Sequence, residues 1–482
     1  MRSFAFYTSH PNPHNLGGTD IKREMRRDPP ATRRLVRLPS RAVVFLLLLF
    51  ALPLQPVDLR AAQQHHFSAR DEAFLEDLER RAFQYLWEQG SPATGLVLDR
   101  SRTDGTPTDE NHQYIASIAA TGFGLTAICI ASERGWITRA AARERARATL
   151  RFFANRVLQE HGWFYHWMDV NSGERRWRSE VSSIDTALLV AGALTARQYF
   201  REDREIQELA RAIYERIDFP WMLNGHPALL SMGWHPETGF IKARWDDYSE
   251  HPILYLLAIG SPLHPIPPAA WYAWKRNWNE YAGYRYLGKT PLFTYQYSHA
   301  WIDFRGRREV KGEHVDYFEN SVKATLAHRQ FCIDLAKEFP GYGTQVWGIS
   351  ASDSVKGYVA WGGPPRDPAI DGSVVPYAAA GSLMFTPQLA MAALRTMRIK
   401  YPGVYGKYGF ADAFNPNTGW IDPDVIGIDL GITLLSAENA RGGNVWRWFM
   451  RNSEIVRAMD LAGLQKRRKQ QTQPRLPLRK AA

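Results

Sequence analysis

Between about Ser68 and Gly463 the apolar residues recur at three- and four-residue intervals, the period of an α-helix. The pattern predicts helices over 70–89, 111–134, 138–159, 183–200 and 203–217. It predicts further helices over 250–259, 268–280, 320–338, 384–399, 429–437, 443–451 and 453–462. That is the number six helical hairpins need to close on themselves, so the expected class is all-α, an (α/α)6 barrel. No fixed repeat marks the hairpins, and no alternation of strands with helices argues for a parallel sheet. Pro and Gly cluster in the connections 218–248, 281–318 and 340–382. Connections that long are uncommon in a compact domain unless they have a task. Gathered at one end of a helical barrel, they would wall a cleft.

The two ends of the chain read differently. Arg33, Arg34, Arg37 and Arg41 precede an apolar run from Ala42 to about Leu54, and Ala61-Ala62 follow. This is the order of a secretory signal: charge, a short apolar core, then small residues near a cut. The apolar run falls short of the roughly 20 residues a membrane span needs. Residues 1–62 are therefore expected to be leader and signal, with Met25 as an alternative start and an uncleaved anchor as the minor alternative. The mature protein is expected to be periplasmic or secreted, without stable membrane insertion. Residues 63–464 form the expected catalytic barrel domain, and 465–482 a basic, solvated tail.

Charge supports this division. The formal net charge is +11, yet residues 1–41 carry nine Lys/Arg against three Asp/Glu. Residues 465–482 add seven basic residues and no acidic one. The body is then slightly acidic, and no nucleic-acid partner is expected. The two cysteines, Cys129 and Cys332, fall in apolar helical patterns and are expected to be buried and unpaired. Seventeen Trp and twenty-one Tyr are more than a core requires, since each carries a polar group that needs a partner when buried. A cleft lined with flat rings, on which sugars stack, would use them.

Candidate chemistry lies where polar loops run into apolar helices. In Glu180-Val181-Ser182-Ser183-Ile184-Asp185, Ser182 and Asp185 have the spacing of a capping box. The functional reading places Glu180 and Asp185 at a helix mouth, projecting into a cleft. Asp246-Asp247-Tyr248-Ser249-Glu250-His251-Pro252 repeats that architecture, with Ser249 as the expected N-cap and Glu250 in the first turn. Helix-dipole compensation alone would explain Glu250, but three acids and a Tyr in five residues exceed that need. Gln296, Trp301, Asp303, Glu319, Trp347, Asp353 and Trp361 lie in further segments that mix carboxylates, amides and aromatics. With Asp246 and Tyr248 they are the candidate substrate-binding residues. No Walker-type phosphate loop, dinucleotide fingerprint or His-Glu-x-x-His motif is present. Gly122 and Gly124, inside an apolar helical run, read as close packing.

Several of these runs resemble the glucoamylase-like family that includes bacterial endo-β-1,2-glucanases. They are Ser179 to Leu194, Glu250 to Pro265, Ala300-Trp301-Ile302-Asp303-Phe304-Arg305-Gly306 and Asp316-Tyr317-Phe318-Glu319-Asn320-Ser321. Ala351-Ser352-Asp353, Ala378 to Leu383 and Gly427-Ile428-Asp429 complete the set, so the likeness covers roughly 70–463. One departure is His251-Pro252, where small or apolar residues are expected. The resemblance implies an (α/α)6 barrel that hydrolyses β-1,2-glucan with inversion and binds an oligo- or polysaccharide. It also implies acidic residues at the positions of Glu250, Glu180 and Asp185. Glu250 is then the expected general acid and Asp185 the base or water-orienting group, with Glu250 the more buried of the two. No metal or organic cofactor is required. The rival readings are a transglycosylase using the same cleft and a non-catalytic glycan-binding protein of the envelope.

Overall fold

The computed structural model describes residues 67–288 and 291–466, so the leader and nearly all of the basic tail lie outside the described residues. Its helices are α1 (Ala69–Glu88), α2 (Ile118–Glu133), α3 (Arg139–Asn155), α4 (Ser183–Tyr199), α5 (Arg204–Glu215), α6 (Phe219–Leu223) and α7 (Pro252–Gly260). They continue with α8 (Tyr297–Trp301), α9 (Tyr317–Leu335), α10 (Pro376–Ala380), α11 (Pro387–Lys400), α12 (Gly427–Arg441), α13 (Asn444–Phe449) and α14 (Ser453–Leu461).

Hydrophobic patterning sorts the helices into two layers. Every residue of α2 from Ile118 to Ala131 is buried, and so is every residue of α7, α8 and α10. A helix that is apolar on all sides belongs inside, whereas α1, α3, α5, α11 and α14 bury one face only. The inner helices form a ring. α2 lies between α4 and α12, α4 adjoins α7, and α12 adjoins α8 and α10. Ser298 of α8 closes the gap to α7: its Oγ donates to Glu250 O and accepts from Ile253 N–H. Gln296, just before α8, donates to Ala378 O of α10. Six inner helices backed by an outer layer are the expected (α/α)6 barrel.

The helix positions follow the sequence pattern with three instructive exceptions. The N-terminus of α2 is Ile118, not 111, because 115–117 pair as a strand with 167–169 and Ser117 Oγ caps Ala120 N–H. The predicted helix over 268–280 is instead a 3-10 turn, Pro268–Tyr272, followed by the strand Trp278–Tyr281. That strand pairs with Tyr284–Leu287 through a two-residue turn, Ala282-Gly283, with both φ positive as such a hairpin demands. Finally, α6, α8 and α10 lie inside the three predicted connections.

Short strand pairs knit one end of the ring together. Val97–Leu98 pairs with 116–117, which lead into α2. Arg100–Arg102 pairs with Asp424–Ile426, which lead into α12, and Val181–Ser182, which lead into α4, pair with 233–234. Polar loops therefore converge where α2, α4 and α12 begin.

α2 and α4 approach closely, glycine on glycine. A Cβ on Gly122 of α2 would collide with the backbone of Leu188 in α4, and one on Gly192 of α4 with the carbonyl of Gly122. Gly122→Ala is therefore expected to lower the unfolding free energy by about 1–3 kcal/mol, measured by urea denaturation. Gly343→Ala, whose new methyl group meets nothing within 4 Å, should stay within error.

Candidate active site

Ser182 fixes the N-terminus of α4 as the capping box predicts. Its Oγ accepts from Asp185 N–H at 3.2 Å and donates to Asp185 Oδ2 at 2.5 Å. The capping role does not use up the carboxylate, because Asp185 Oδ1 faces the Nε2 of His166 at 3.6 Å. The Nδ1 of that same imidazole meets Glu180 Oε1 at 2.9 Å. Glu180, His166 and Asp185 thus form an ion triplet across the mouth of α4, with His166 and Asp185 buried and Glu180 half-buried.

Their titration follows from this arrangement. Burial pushes His166 down, but the charges of Asp185 and Glu180 lift it to about 9. Burial pushes Glu180 up, and the imidazolium overrides it, bringing the carboxyl down to about 2. Asp185 stays above its ordinary value: burial and the Glu180 charge outweigh His166 and Ser182. The ligand atoms of all three lie within 4.8 Å of one another, a spacing a metal ion could use. With the imidazole protonated, the ring itself carries the cationic charge there and has no lone pair to offer.

Glu250 differs from expectation in its local setting. The N-cap of α7 is His251, without a side-chain cap bond, so Ser249 is not the cap and Glu250 precedes the helix. The Ser249 hydroxyl donates to Glu250 Oε2 instead. Glu250 is 9 % exposed and Asp185 5 %, so Glu250 is not the more buried of the two. Burial nevertheless raises it to about 7, with the Asp185 charge adding to the rise against the Ser249 hydrogen bond. Lying before α7 rather than in its first turn, its carboxyl gains less from the helix dipole, which falls off within a turn.

A second group of carboxylates went unnoticed in the sequence, apart from Asp353 and Asp429. Asp99, Asp353, Asp412, Asp422, Asp424 and Asp429 are all buried near Arg100 and Arg102. Arg100 bonds Asp353 at 2.7 Å and Asp99 at 3.2 Å, and Arg102 bonds Asp424 at 2.8 Å. Asp412 accepts from Asp353 N–H at 2.7 Å. Two cations cannot neutralise six buried acids. Burial, then mutual repulsion, pushes Asp412 and Asp422 well up, and burial does the same to Asp429. Asp99 links the two groups, since its charge acts on both His166 and Asp429. His166 was also missed, as one of several scattered histidines. Only the fold brings it between Glu180 and Asp185.

The remaining candidates divide. Trp347 and Trp361 are 0 % and 2 % exposed and Tyr248 5 %, so none is an open stacking platform. Their loops fold inward over the barrel; Tyr248 packs among Trp274, Tyr295 and Tyr317. Trp301 is core, its indole N–H bonding Thr126 Oγ1 of α2 at 2.9 Å. Gln296 ties α8 to α10, bonding Ala378 O and Ser382 Oγ. Asp246, Asp303 and Glu319 pair with Lys275, Arg305 and Lys323. Cys129 and Cys332 are buried free thiols, as expected.

The acidic group makes a stability prediction. Asp422 carries a raised pKa in the folded state only, so the folded protein holds a proton there that the unfolded chain releases. Stability should then fall as pH rises above the ordinary carboxylate range. Asp422→Asn keeps an acceptor for Asp424 N–H. It should gain at least about 1 kcal/mol at pH 8, one pKa unit's worth, with a smaller gain at pH 4. Equal gains at both pH values would contradict the repulsion.

Comparison with known proteins places this geometry. Residues 242–453 match the Glycoamylase family model, described as "Putative glucoamylase". An exo β-1,2-glucooligosaccharide sophorohydrolase (non-reducing end) of Parabacteroides distasonis is 28% identical over 429 residues. The match takes in 81% of this chain but 57% of that curated relative's length. The endo-β-1,2-glucanase of Chitinophaga pinensis, solved with sophorotriose and glucose, superposes with a TM-score of 0.76 at 28% identity. That superposition covers 83% of this chain and 99% of the other. A β-1,2-glucanase from Parabacteroides distasonis gives 0.74 at 26% identity, over 83% of this chain and 60% of its own. Over residues 242–453 the chain thus resembles the glucoamylase-like family, and its helical fold is shared with these β-1,2-glucanases.

Proposed function

We propose that this protein is a glycoside hydrolase that cleaves β-1,2-linked glucan by inverting acid/base chemistry. The observation that carries the reading is Glu250: a carboxyl raised to about 7 by burial, with the charge of Asp185 adding to the rise. A buried carboxyl raised towards neutrality is suited to hold and deliver a proton. Glu250 is held before α7 by Ser249 and, through its carbonyl, by Ser298 of α8. In its protonated form it delivers a proton to the glycosidic oxygen as the C1–O bond breaks.

Asp185 is the proposed base. Its raised pKa makes it a better proton acceptor than an exposed carboxylate, and the His166 charge holds that rise in check. Ser182 fixes one carboxylate oxygen, and the other, 3.6 Å from His166 Nε2, is the one assigned to take a proton from the attacking water. Water adding to C1 as the sugar oxygen leaves on the opposite face gives inversion. Glu180 holds His166 and is too acidic to be the base. The carboxyls of such a pair stand about 6.5–9.5 Å apart to admit the water.

The naming of the relatives as hydrolases disfavours the transglycosylase reading, and the titration of Glu250 disfavours a silent glycan-binding protein. On this reading residues 63–464 are the catalytic unit, and an oligo- or polysaccharide is the partner. Export rests on the leader, which lies outside the described residues. No described helix is long and apolar enough to cross a membrane.

Incubation with linear β-1,2-glucan should release shorter β-1,2-oligosaccharides of inverted anomeric form; longer or cyclic products would instead mean transfer. Glu250→Gln should lower turnover at least about a hundredfold while leaving the melting temperature near that of the wild type. Because the acid acts only when protonated, kcat/KM should fall as pH rises through about 7. Retention of more than about a tenth of the rate by Glu250→Gln would remove it from the acid role.

A further inference from the structure

The rings predicted to stack on sugar are buried, yet an exposed aromatic surface does adjoin the site. Trp167 lies parallel to His166, with centroids 4.0 Å apart and planes at 15°. Trp177 meets Trp167 at 5.6 Å and 66°, and His112 meets Trp177 at 5.1 Å and 74°. These steep angles are edge contacts, not parallel stacking. Trp177 is 37 % exposed, and Tyr114, next along the chain from His112 and Gln113, is 48 % exposed. A continuous run of rings thus leads from the imidazole between Glu180 and Asp185 out to solvent.

The loop that presents Trp177 is built to hold it there. Trp177 and Arg178 both have left-handed backbone, at φ 52° and 51°. Two consecutive residues other than glycine in that region are uncommon, and such conformations persist only where the surroundings enforce them. Arg175 enforces this one. Its guanidinium donates to Ser179 O at 2.5 Å and Arg178 O at 2.6 Å, and grips Glu237 through two further bonds. It also lies over the Tyr165 ring at 4.9 Å. Trp167 N–H bonds Ser179 Oγ, and Trp167 O accepts from Arg176 N–H. A large apolar ring kept partly in water by a strained, clamped loop, against polar catalytic groups, fits a ligand with one apolar and one hydroxylated face. A pyranose ring has that form.

We propose that Trp177, backed by Trp167, is an outer glucosyl-binding subsite at which a sugar ring beyond the reacting bond stacks. The proposal rests on the glucanase reading above. Its effect belongs to chain length: substrates long enough to reach Trp177 gain affinity that the shortest cannot.

The test uses the full-length Glu250→Gln protein, which should bind without cleaving, titrated calorimetrically with β-1,2-glucooligosaccharides from the disaccharide upwards. Affinity should rise with length. Adding Trp177→Ala should cut the ratio of long-chain to disaccharide affinity about tenfold, while Trp177→Phe keeps most of it and neither changes the melting temperature. An unchanged ratio, or an equal loss at every length, overturns the subsite. If β-1,2-glucans fail to bind but glucans of another linkage show the Trp177 dependence, the linkage falls and the subsite stands. If no glucan binds, both fall.

Discussion

The contact between Gly122 and Gly192 sets the geometry of everything above it. Backbone meets backbone there, so α2 and α4 run closer together than any pair of side chains would permit. The strand leading into α2 pairs with 167–169, and Ile118 N–H bonds His166 O. Through that hydrogen bond the imidazole is fixed relative to α2. Asp185 is fixed relative to α4 by Ser182. The separation of His166 from Asp185 is therefore inherited from a helix crossing about one to two turns away, and a wider crossing would open the ion triplet.

What the ring encloses at this end is an excess of negative charge, and burial governs how that charge behaves. Glu180 escapes by pairing with His166; Glu250 and the Asp412 group do not, and retain protons instead. A core built for stability alone would not gather six aspartates around two arginines, because each unpaired buried acid costs free energy. Their presence beside the α12 mouth is a cost that binding or chemistry must offset.

Much of the architecture was legible because long helices advertise themselves. α1, α3, α4, α5 and α11 bury a stripe or a whole apolar run, and their boundaries fall within a few residues of the periodicity. α8 and α10 were not legible. Five residues give less than two turns of pattern, and both stand among Pro, Gly and Ser that read as loop. Both belong to the inner ring, so the sequence pattern gave the barrel class while missing two of its inner helices. At the site, Ser182 with Asp185 and the acid-rich approach to Glu250 were visible because their partners are local in sequence. His166 was invisible because its partners are 14 and 19 residues distant and meet only through a strand pairing.

The aromatic residues show the same limit from the other side. Counting Trp and Tyr pointed correctly to an abundance of rings, but nothing in Trp347-Gly348 or Trp361-Gly362-Gly363 tells whether a loop folds inward or outward. Here they fold inward, and both indoles are buried. Trp177 sits among charged neighbours, Arg175, Arg176 and Arg178, where the sequence suggests a solvated turn. Its ring stands in water because Arg175 is spent inward, on carbonyls and Glu237, and the backbone is forced into left-handed turns above it. Exposure at Trp177 is thus a product of hydrogen bonding beneath the loop and not of the ring's own preference. That is why composition hinted at rings open to solvent and only the folded chain located one.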